Sequence, residues 1–288
     1  MRAIGFSELK DRKELENLIK ICAQDANNRS YTSNGDNSML AIFSKDFAPG
    51  MGVAVCGEYD EVNNFSYDYC FPYLTGEGVT SYEDITIERH AEKESYAGIC
   101  DDIKVGVSLI FYLQNMIPYV KVMNSDKLPV KGTSLTLSGL SCQGTIMMPI
   151  IKNEKEKSRV RKASDSRNQL IEAARKGDED AIESLTLEDM DTYTAISKKI
   201  QQEDVFSIVD TYFMPYGVEC DQYSVLGEIL NCNMVENEIT KEEIYKLTIL
   251  CNELTFDVCI NKIDMFGEPK EGRRFKGVIW LQGFINFP

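Results

Sequence analysis

Strand-like runs follow one another in this chain too closely for helices to fit between them. Met39 to Ser44, Gly52 to Tyr59 and Phe65 to Tyr73 are rich in aromatic and β-branched residues. Asp60-Glu61-Val62-Asn63-Asn64 separates the last two and has the composition of a hairpin connection. Parallel neighbours need a crossover of about a dozen residues or more. The spacing therefore predicts mostly antiparallel pairing and an α+β fold without regular βαβ alternation.

Other elements fill in around these runs. Asp11 with Glu14 forms a capping box, and Leu15, Leu18, Ile19 and Cys22 recur at helical spacing, so 11–25 is predicted to be an amphipathic helix. Asn27 to Asn37 is polar and predicted to be a loop. Thr86 to His90 reads as a strand. Val105 to Leu113 reads as a strand leading into a short helix, with Pro118 near an element end. Ser134 to Ile151 alternates on both sides of Ser141-Cys142-Gln143-Gly144, which predicts a hairpin.

At Lys152 the composition changes. Residues 152–176 hold nine Lys/Arg and four Asp/Glu, whereas 177–205 hold two and nine. Three helices are predicted here, capped by Ser166, Asp178 and Thr186, with Leu187, Met190, Tyr193, Ile196 and Ile200 on one face of the third. From Val205 the pattern is β again. Phe206 to Met214, Gln222 to Val235, Ile244 to Cys251, Thr255 to Asn261 and Lys276 to Phe287 predict a small barrel or sandwich of OB-like type. Three regions follow: an N-terminal α+β region over 1–152, a charge-segregated helical segment over 153–204, and a C-terminal all-β module over 205–288.

Composition narrows the function. Asp+Glu exceeds Lys+Arg by 46 to 31, a net charge of -15, so a phosphate backbone would be repelled unless a local basic patch intervened. Nine cysteines are scattered without a C-x-x-C pair, the usage of reduced thiols in a cytoplasmic protein. The first residues lack the apolar core of a secretory leader. The apolar stretch Val105 to Val122 is interrupted by Ser108, Gln114, Asn115, Pro118 and Lys121, so no membrane span is predicted. A single histidine, His90, excludes sites that need two imidazoles. The P-loop and the G-x-S-x-G elbow are absent.

Two clusters carry what binding chemistry the sequence offers. Glu88, His90, Glu92 and Glu94 share one face if a strand continues through them, and Asp101 and Asp102 follow Cys100. An imidazole among carboxylates suits a divalent metal or general-base work, and Cys100 with His90 would be a nucleophile and its base. The second cluster is the aromatic and acidic stretch 210–223, with Tyr212, Tyr216, Asp221 and Tyr223 as candidate pocket residues. Arg273-Arg274-Phe275-Lys276 beside Trp280 is the only nucleic-acid-like feature of an otherwise acidic module.

Several phrases resemble an uncharacterised family of clostridial proteins of about this length. They include Val55-Cys56-Gly57-Glu58-Tyr59-Asp60, Glu88-Arg89-His90-Ala91, Lys93-Glu94-Ser95-Tyr96-Ala97-Gly98, Met214-Pro215-Tyr216-Gly217 and Trp280-Leu281-Gln282-Gly283. The likeness runs over nearly the whole chain. It implies a bacterial cytoplasmic setting and carries over no catalytic residue, cofactor or metal.

The expectation is therefore a non-enzymatic binding or adaptor protein of the bacterial cytoplasm, with a protein partner at the 153–204 helices. Two alternatives stand beside it: a small-molecule or metal-dependent enzyme using His90 and its carboxylates, and an oligonucleotide-binding C-terminal module.

Overall fold

The computed structural model describes residues 1–33, 38–90, 95–102, 104–105, 108–125, 132–150, 154–201 and 204–288, with the backbone alone for 154–161, 195–196 and 199–200. A 3-10 turn (Arg2–Ile4) precedes helix α1 (Arg12–Gln24). Four strands follow: β1 (Asn28–Ser33), β2 (Met39–Ala48), β3 (Met51–Tyr59) and β4 (Phe65–Leu74). Then come β5 (Ile85–Arg89), β6 (Tyr96–Cys100), β7 (Leu109–Leu113), helix α2 (Met116–Asn124) and the long β8 (Ser134–Met147). Helices α3 (Glu154–Arg175), α4 (Glu179–Ile200) and α5 (Val205–Ile208) lead to β9 (Tyr212–Pro215), β10 (Gln222–Glu236), β11 (Glu243–Cys251), β12 (Leu254–Asn261), β13 (Met265–Phe266) and β14 (Arg274–Asn286).

The fold is α+β, as the strand spacing predicts. Strands β1-β2-β3-β4 form an antiparallel sheet, in which short turns join β2 to β3 and β3 to β4. Asp60 closes the β3–β4 turn by accepting the backbone N–H groups of Val62 and Asn64 at 2.9 and 2.8 Å. Helix α1 begins where its capping box places it, with the Glu14 N–H donating to the Asp11 carboxylate at 2.8 Å. One face of this sheet carries Ala41, Phe43, Val53 and Val55 and packs with Leu18 and Cys22 of α1. The other carries Leu40, Ile42, Ala54, Cys56 and Phe71 and packs with the core beneath α2. Burial on both faces explains why β2 and β3 read as continuous apolar runs rather than as an alternation.

The second sheet closes on itself. β8 pairs with β12 in parallel and with β14 antiparallel, while β12-β11-β10-β14 is antiparallel throughout. These five strands form a closed barrel lined by Val225, Leu247, Ile249, Phe256, Val258, Phe275, Ile279 and Leu281. With β10, β11 and β12 as meander and β14 as return strand, the pairing is that of an OB barrel whose last strand, β8, comes first in the chain. Residues 134–147 thus supply a stave to the barrel that 205–288 otherwise builds. β7, β6 and β5 extend the sheet beyond β14. Leu140, Ile244 and Cys259, on the barrel's outer surface, join the core beneath the first sheet, so sheet and barrel share apolar packing.

Four local expectations are corrected. Residues 28–33 of the polar stretch 27–37 form an edge strand, β1, in which Thr32 is the one buried residue. An edge strand needs backbone pairing and one anchored face, and here Tyr31 packs edge-on to Phe43. Within the stretch Ser134 to Ile151, read as a hairpin, Ser134–Met147 forms a single strand, β8. The Ser141-Cys142-Gln143-Gly144 stretch makes a bulge: Val278 faces Gln143 and Ile279 faces Ser141, leaving Cys142 as the extra residue. The helical segment contains two long helices rather than three. Ser166 lies inside α3, and Thr186 lies inside α4, where its hydroxyl donates back to the Ile182 carbonyl at 2.8 Å. The start of Phe206 to Met214, read as a strand, is helix α5.

Candidate functional site

The predicted carboxylate cluster is spread along a hairpin. In the β5–β6 pair Ile85 faces Cys100 and Arg89 faces Tyr96. Ile85 and Ile87 turn inward while Thr86 and Glu88 are exposed. His90 is exposed just past the strand end, its N–H donating to the Ser95 carbonyl at 2.9 Å. Glu92 and Glu94 lie outside the described residues. Cys100 is five residues along the ladder from His90's end, roughly 17 Å at strand rise, so the structure does not bring the thiol and imidazole together. Asp101 is exposed and accepts from the Ser108 hydroxyl.

Asp102 points the other way and is buried. Its carboxylate accepts from Ser81 Oγ at 2.6 Å and from the Lys104 N–H at 3.0 Å. The Cys100 thiol lies 3.8 Å from the same Ser81 Oγ, and burial pushes it up to about 11. Ser81 also bridges to Leu135 of β8 through its backbone. This buried set ties the loop after β4 to the barrel. Among the described residues no group of three or more His, Cys, Asp or Glu is placed to hold a metal ion.

All nine cysteines are free thiols, and their environments divide them. Cys142 and Cys220 are exposed, whereas burial raises Cys22, Cys56, Cys251 and Cys259 to about 12. The thiolate is the reactive form. Titration of the native protein with an aromatic disulfide at mild alkaline pH is therefore expected to show two fast thiols, Cys142 and Cys220. Fast modification of Cys100 or Cys259 would contradict the burial described.

The aromatic stretch works as a seam. Along β14 the neighbouring strand changes from β10, up to Trp280, to β7, from Gln282 onward. Two of the predicted residues hold that junction. Tyr223 is buried against Phe213, with its hydroxyl accepting the Ile110 N–H of β7 at 2.7 Å. Asp221 accepts the Trp280 indole N–H at 2.6 Å, and its carbonyl accepts the Leu281 N–H at 2.8 Å. Trp280 packs on Tyr112 at 5.2 Å between centroids, and Tyr112 on Phe71 at 4.7 Å, which carries the seam across to β4. Tyr212 is half-buried, with its hydroxyl 3.3 Å from Ser224 Oγ; Tyr216 is exposed beyond β9. The four residues thus lie along one strand pair, β9–β10, and its connection.

The basic residues near Trp280 are turned to internal use. Arg273 donates to the Glu268 carbonyl at 2.7 Å, and the Lys276 ammonium lies 4.1 Å from the centroid of the Phe206 ring. Arg274 is buried and donates to the carbonyls of Met148 (3.0 Å), Val209 (2.9 Å), Asp210 (3.4 Å) and Phe206 (2.8 Å). OB barrels bind oligonucleotides on their second and third meander strands, here β11 and β12. In this chain that face is covered. Asp257 accepts from Thr248 Oγ1 at 2.6 Å and from the Glu77 N–H at 2.9 Å; Thr80 Oγ1 donates to the Thr255 carbonyl at 3.0 Å; Asn261 Nδ2 donates to the Arg2 carbonyl at 3.4 Å.

What stands out from the body is the helical hairpin α3–α4. Gly177, in the left-handed region at φ 89°, ends α3, and Asp178 accepts the Ala181 N–H at 3.1 Å to start α4. Arg167 of α3 reaches both Glu188 (3.6 Å) and Asp189 (2.7 Å) of α4, which fixes the helices antiparallel. α3 rests on the body: Ser164 and Asn168 meet Glu253 in the β11–β12 turn, and Arg175 reaches the Asp101 carbonyl at 3.4 Å. α4 does not rest on the body in this way. Among its described residues only Ala181 is buried, while Ile182, Leu187, Met190 and Tyr193 are 48%, 57%, 63% and 75% exposed. At about 100° per residue these four lie within an arc of about 140°. Arg274 clamps the base of this arm, because its four carbonyl partners come from the chain entering α3 and the chain leaving α4. No local pattern in the sequence marks Arg274 for this role; it sits in the basic run Arg273-Arg274-Phe275-Lys276, whose only legible signal is its likeness to a nucleic-acid face.

A family model described as a domain of unknown function, E. rectale gene description (DUF3881), matches residues 1–283, and the chain belongs to that family. No curated protein and no solved structure matches it. No described helix is long and apolar enough to cross a membrane.

Proposed function

We propose that this member of the DUF3881 family is a non-enzymatic protein-binding module of the bacterial cytoplasm that docks a partner on α4. The observation that carries the reading is the exposed apolar arc Ile182, Leu187, Met190 and Tyr193 on a helix anchored through α3 and the Arg274 clamp. Helices in folded proteins are stabilised mainly by burying an apolar face. A contiguous exposed one marks a contact surface, whereas single exposed apolar residues need no such account. The separation of His90 from Cys100 and the covered β11–β12 face speak for this reading over an enzyme or an oligonucleotide-binding module. The cytoplasmic setting is supported by nine free thiols.

A photo-crosslinking residue at position 190 is expected to give a discrete protein adduct in cells, lost when Leu187→Asp is added. The same residue at Val62, 77% exposed in the β3–β4 turn, is expected to give none. Equal labelling from both positions, or none from position 190, would overturn the proposal.

A further inference from the structure

We propose that the partner of α4 is a second copy of this chain, joined by two-fold, antiparallel packing of the two α4 helices. This rests on the reading of α4 as a docking surface and names its occupant.

The first support is the charge distribution along the arm. The Arg167 contacts with Glu188 and Asp189 set the register of the hairpin. Residues 154–164 and 192–201 then lie at its base, and 165–191 toward its tip. The base carries seven Lys/Arg and two Asp/Glu; the tip carries three Lys/Arg and nine Asp/Glu. The arm is thus basic at one end, acidic at the other, and close to neutral in sum. A two-fold axis across α4 reverses the second copy, so each acidic tip meets a basic base. Parallel packing would set like charge on like. A symmetric pair of this kind is isologous, with one patch complementary to itself.

The centre of the apolar arc has the same symmetry. Leu187 and Tyr193 lie three residues either side of Met190. A two-fold axis through Met190 sets Leu187 of each copy on Tyr193 of the other, with the two Met190 side chains at the centre. Glu183, seven residues before Met190, and Lys198, eight after it, come within one residue of facing each other at the rim under the same operation, so opposite charges approach twice.

The rest of the molecule explains why the contact is on the arm. The whole chain carries -15, and none of that comes from 152–201, where acidic and basic residues balance. Two copies that met through their bodies would bring strongly acidic surfaces together. The arm is where they can meet without that repulsion.

Sedimentation velocity on the full chain tests this, with circular dichroism to confirm that each variant is folded. The wild-type chain is expected to sediment as a concentration-dependent dimer, and Met190→Asp as a monomer. One variant reverses the base (Arg159→Glu, Arg161→Glu, Lys162→Glu, Lys198→Glu). Another reverses the tip (Glu179→Lys, Asp180→Lys, Glu183→Lys, Asp191→Lys). Each alone is expected to self-associate at least about tenfold more weakly, and an equimolar mixture of the two is expected to regain association as a heterodimer. A wild-type monomer at the highest soluble concentration would overturn the proposal, as would a dimer indifferent to Met190→Asp or a mixture that stays apart. If the chain is monomeric while position 190 still crosslinks a different protein, the self-association is overturned and the docking surface stands.

Discussion

Replacing Arg274 with Met should lower the unfolding free energy by about 3–5 kcal/mol, measured as a shifted urea midpoint. Arg274 is 5% exposed, and its guanidinium donates to four backbone carbonyls, in Met148, Phe206, Val209 and Asp210. A Met side chain fills similar volume but leaves those acceptors without their donor in a water-poor site. Hydrogen bonds from a charged donor are worth about 1.5–3 kcal/mol each, and part of the loss is recovered by water at the more open carbonyls. Arg274→Lys keeps the charge but presents it as a point, without the planar fork that reaches separate acceptors, so an intermediate loss is expected. In both variants hydrogen exchange should quicken first around 205–215, where the arm returns to the barrel. A Met variant within about 1 kcal/mol of wild type would mean that Arg274 does not clamp the arm.

The second large effect is expected at Gly283. Phe111 of β7 is fully buried, and its ring lies across two glycines, Gly98 of β6 and Gly283 of β14, on the strands either side. A Cβ built at either glycine falls onto that ring. β14 cannot retreat, because it is held by β10 and β8 as well as β7. Gly283→Ala should therefore cost about 3 kcal/mol, at the upper end of overpacking. Phe111→Leu alone should cost less, about 1–2 kcal/mol, because only part of the ring's volume is left as a cavity. Combined with Gly283→Ala it should recover part of the loss, giving a coupling energy of about 1–2 kcal/mol in a double-mutant cycle. Strict additivity would show that the ring and the glycine are not in the contact described.

Much of the architecture was legible because it is written locally. The capping residues of α1, the turn at Asp60 to Asn64 and the apolar runs of β2, β3, β11 and β12 each carry their own signal. The hairpin at Asn252-Glu253 is an example: both residues adopt positive φ, at 48° and 63°, as a two-residue loop between paired strands requires. What was not legible depends on partners far along the chain. β8 alternates on both sides of a polar patch, and only its pairing with β14 shows that Ser141 to Gly144 is a bulge in one strand rather than a turn between two. Ser166 and Thr186 have cap chemistry, yet each sits where a helix already runs through, so the hydroxyl is a passenger.

The candidate site was legible in composition and not in geometry. The charge change at Lys152 marked the arm, but its head-to-tail polarity appears only once α3 and α4 are seen folded back on each other. His90 and Cys100 are ten residues apart in the chain, and it is the β5–β6 hairpin that carries the exposed imidazole to one end and the buried thiol to the other. Asp221 and Tyr223 drew notice as an acidic and aromatic pair. Their hydrogen bonds to Trp280 and Ile110 bind strands together across a junction that no local pattern encodes.

The most direct test of the account is hydrogen exchange along α4 as its surroundings change. The exposed arc predicts that amides over 182–193 exchange quickly in dilute solution. They should slow when the chain is concentrated or placed in bacterial cytoplasmic extract, and the slowing should vanish in Met190→Asp. Exchange over 182–193 that is the same in dilute, concentrated and extract conditions would contradict the claim that α4 is a docking surface.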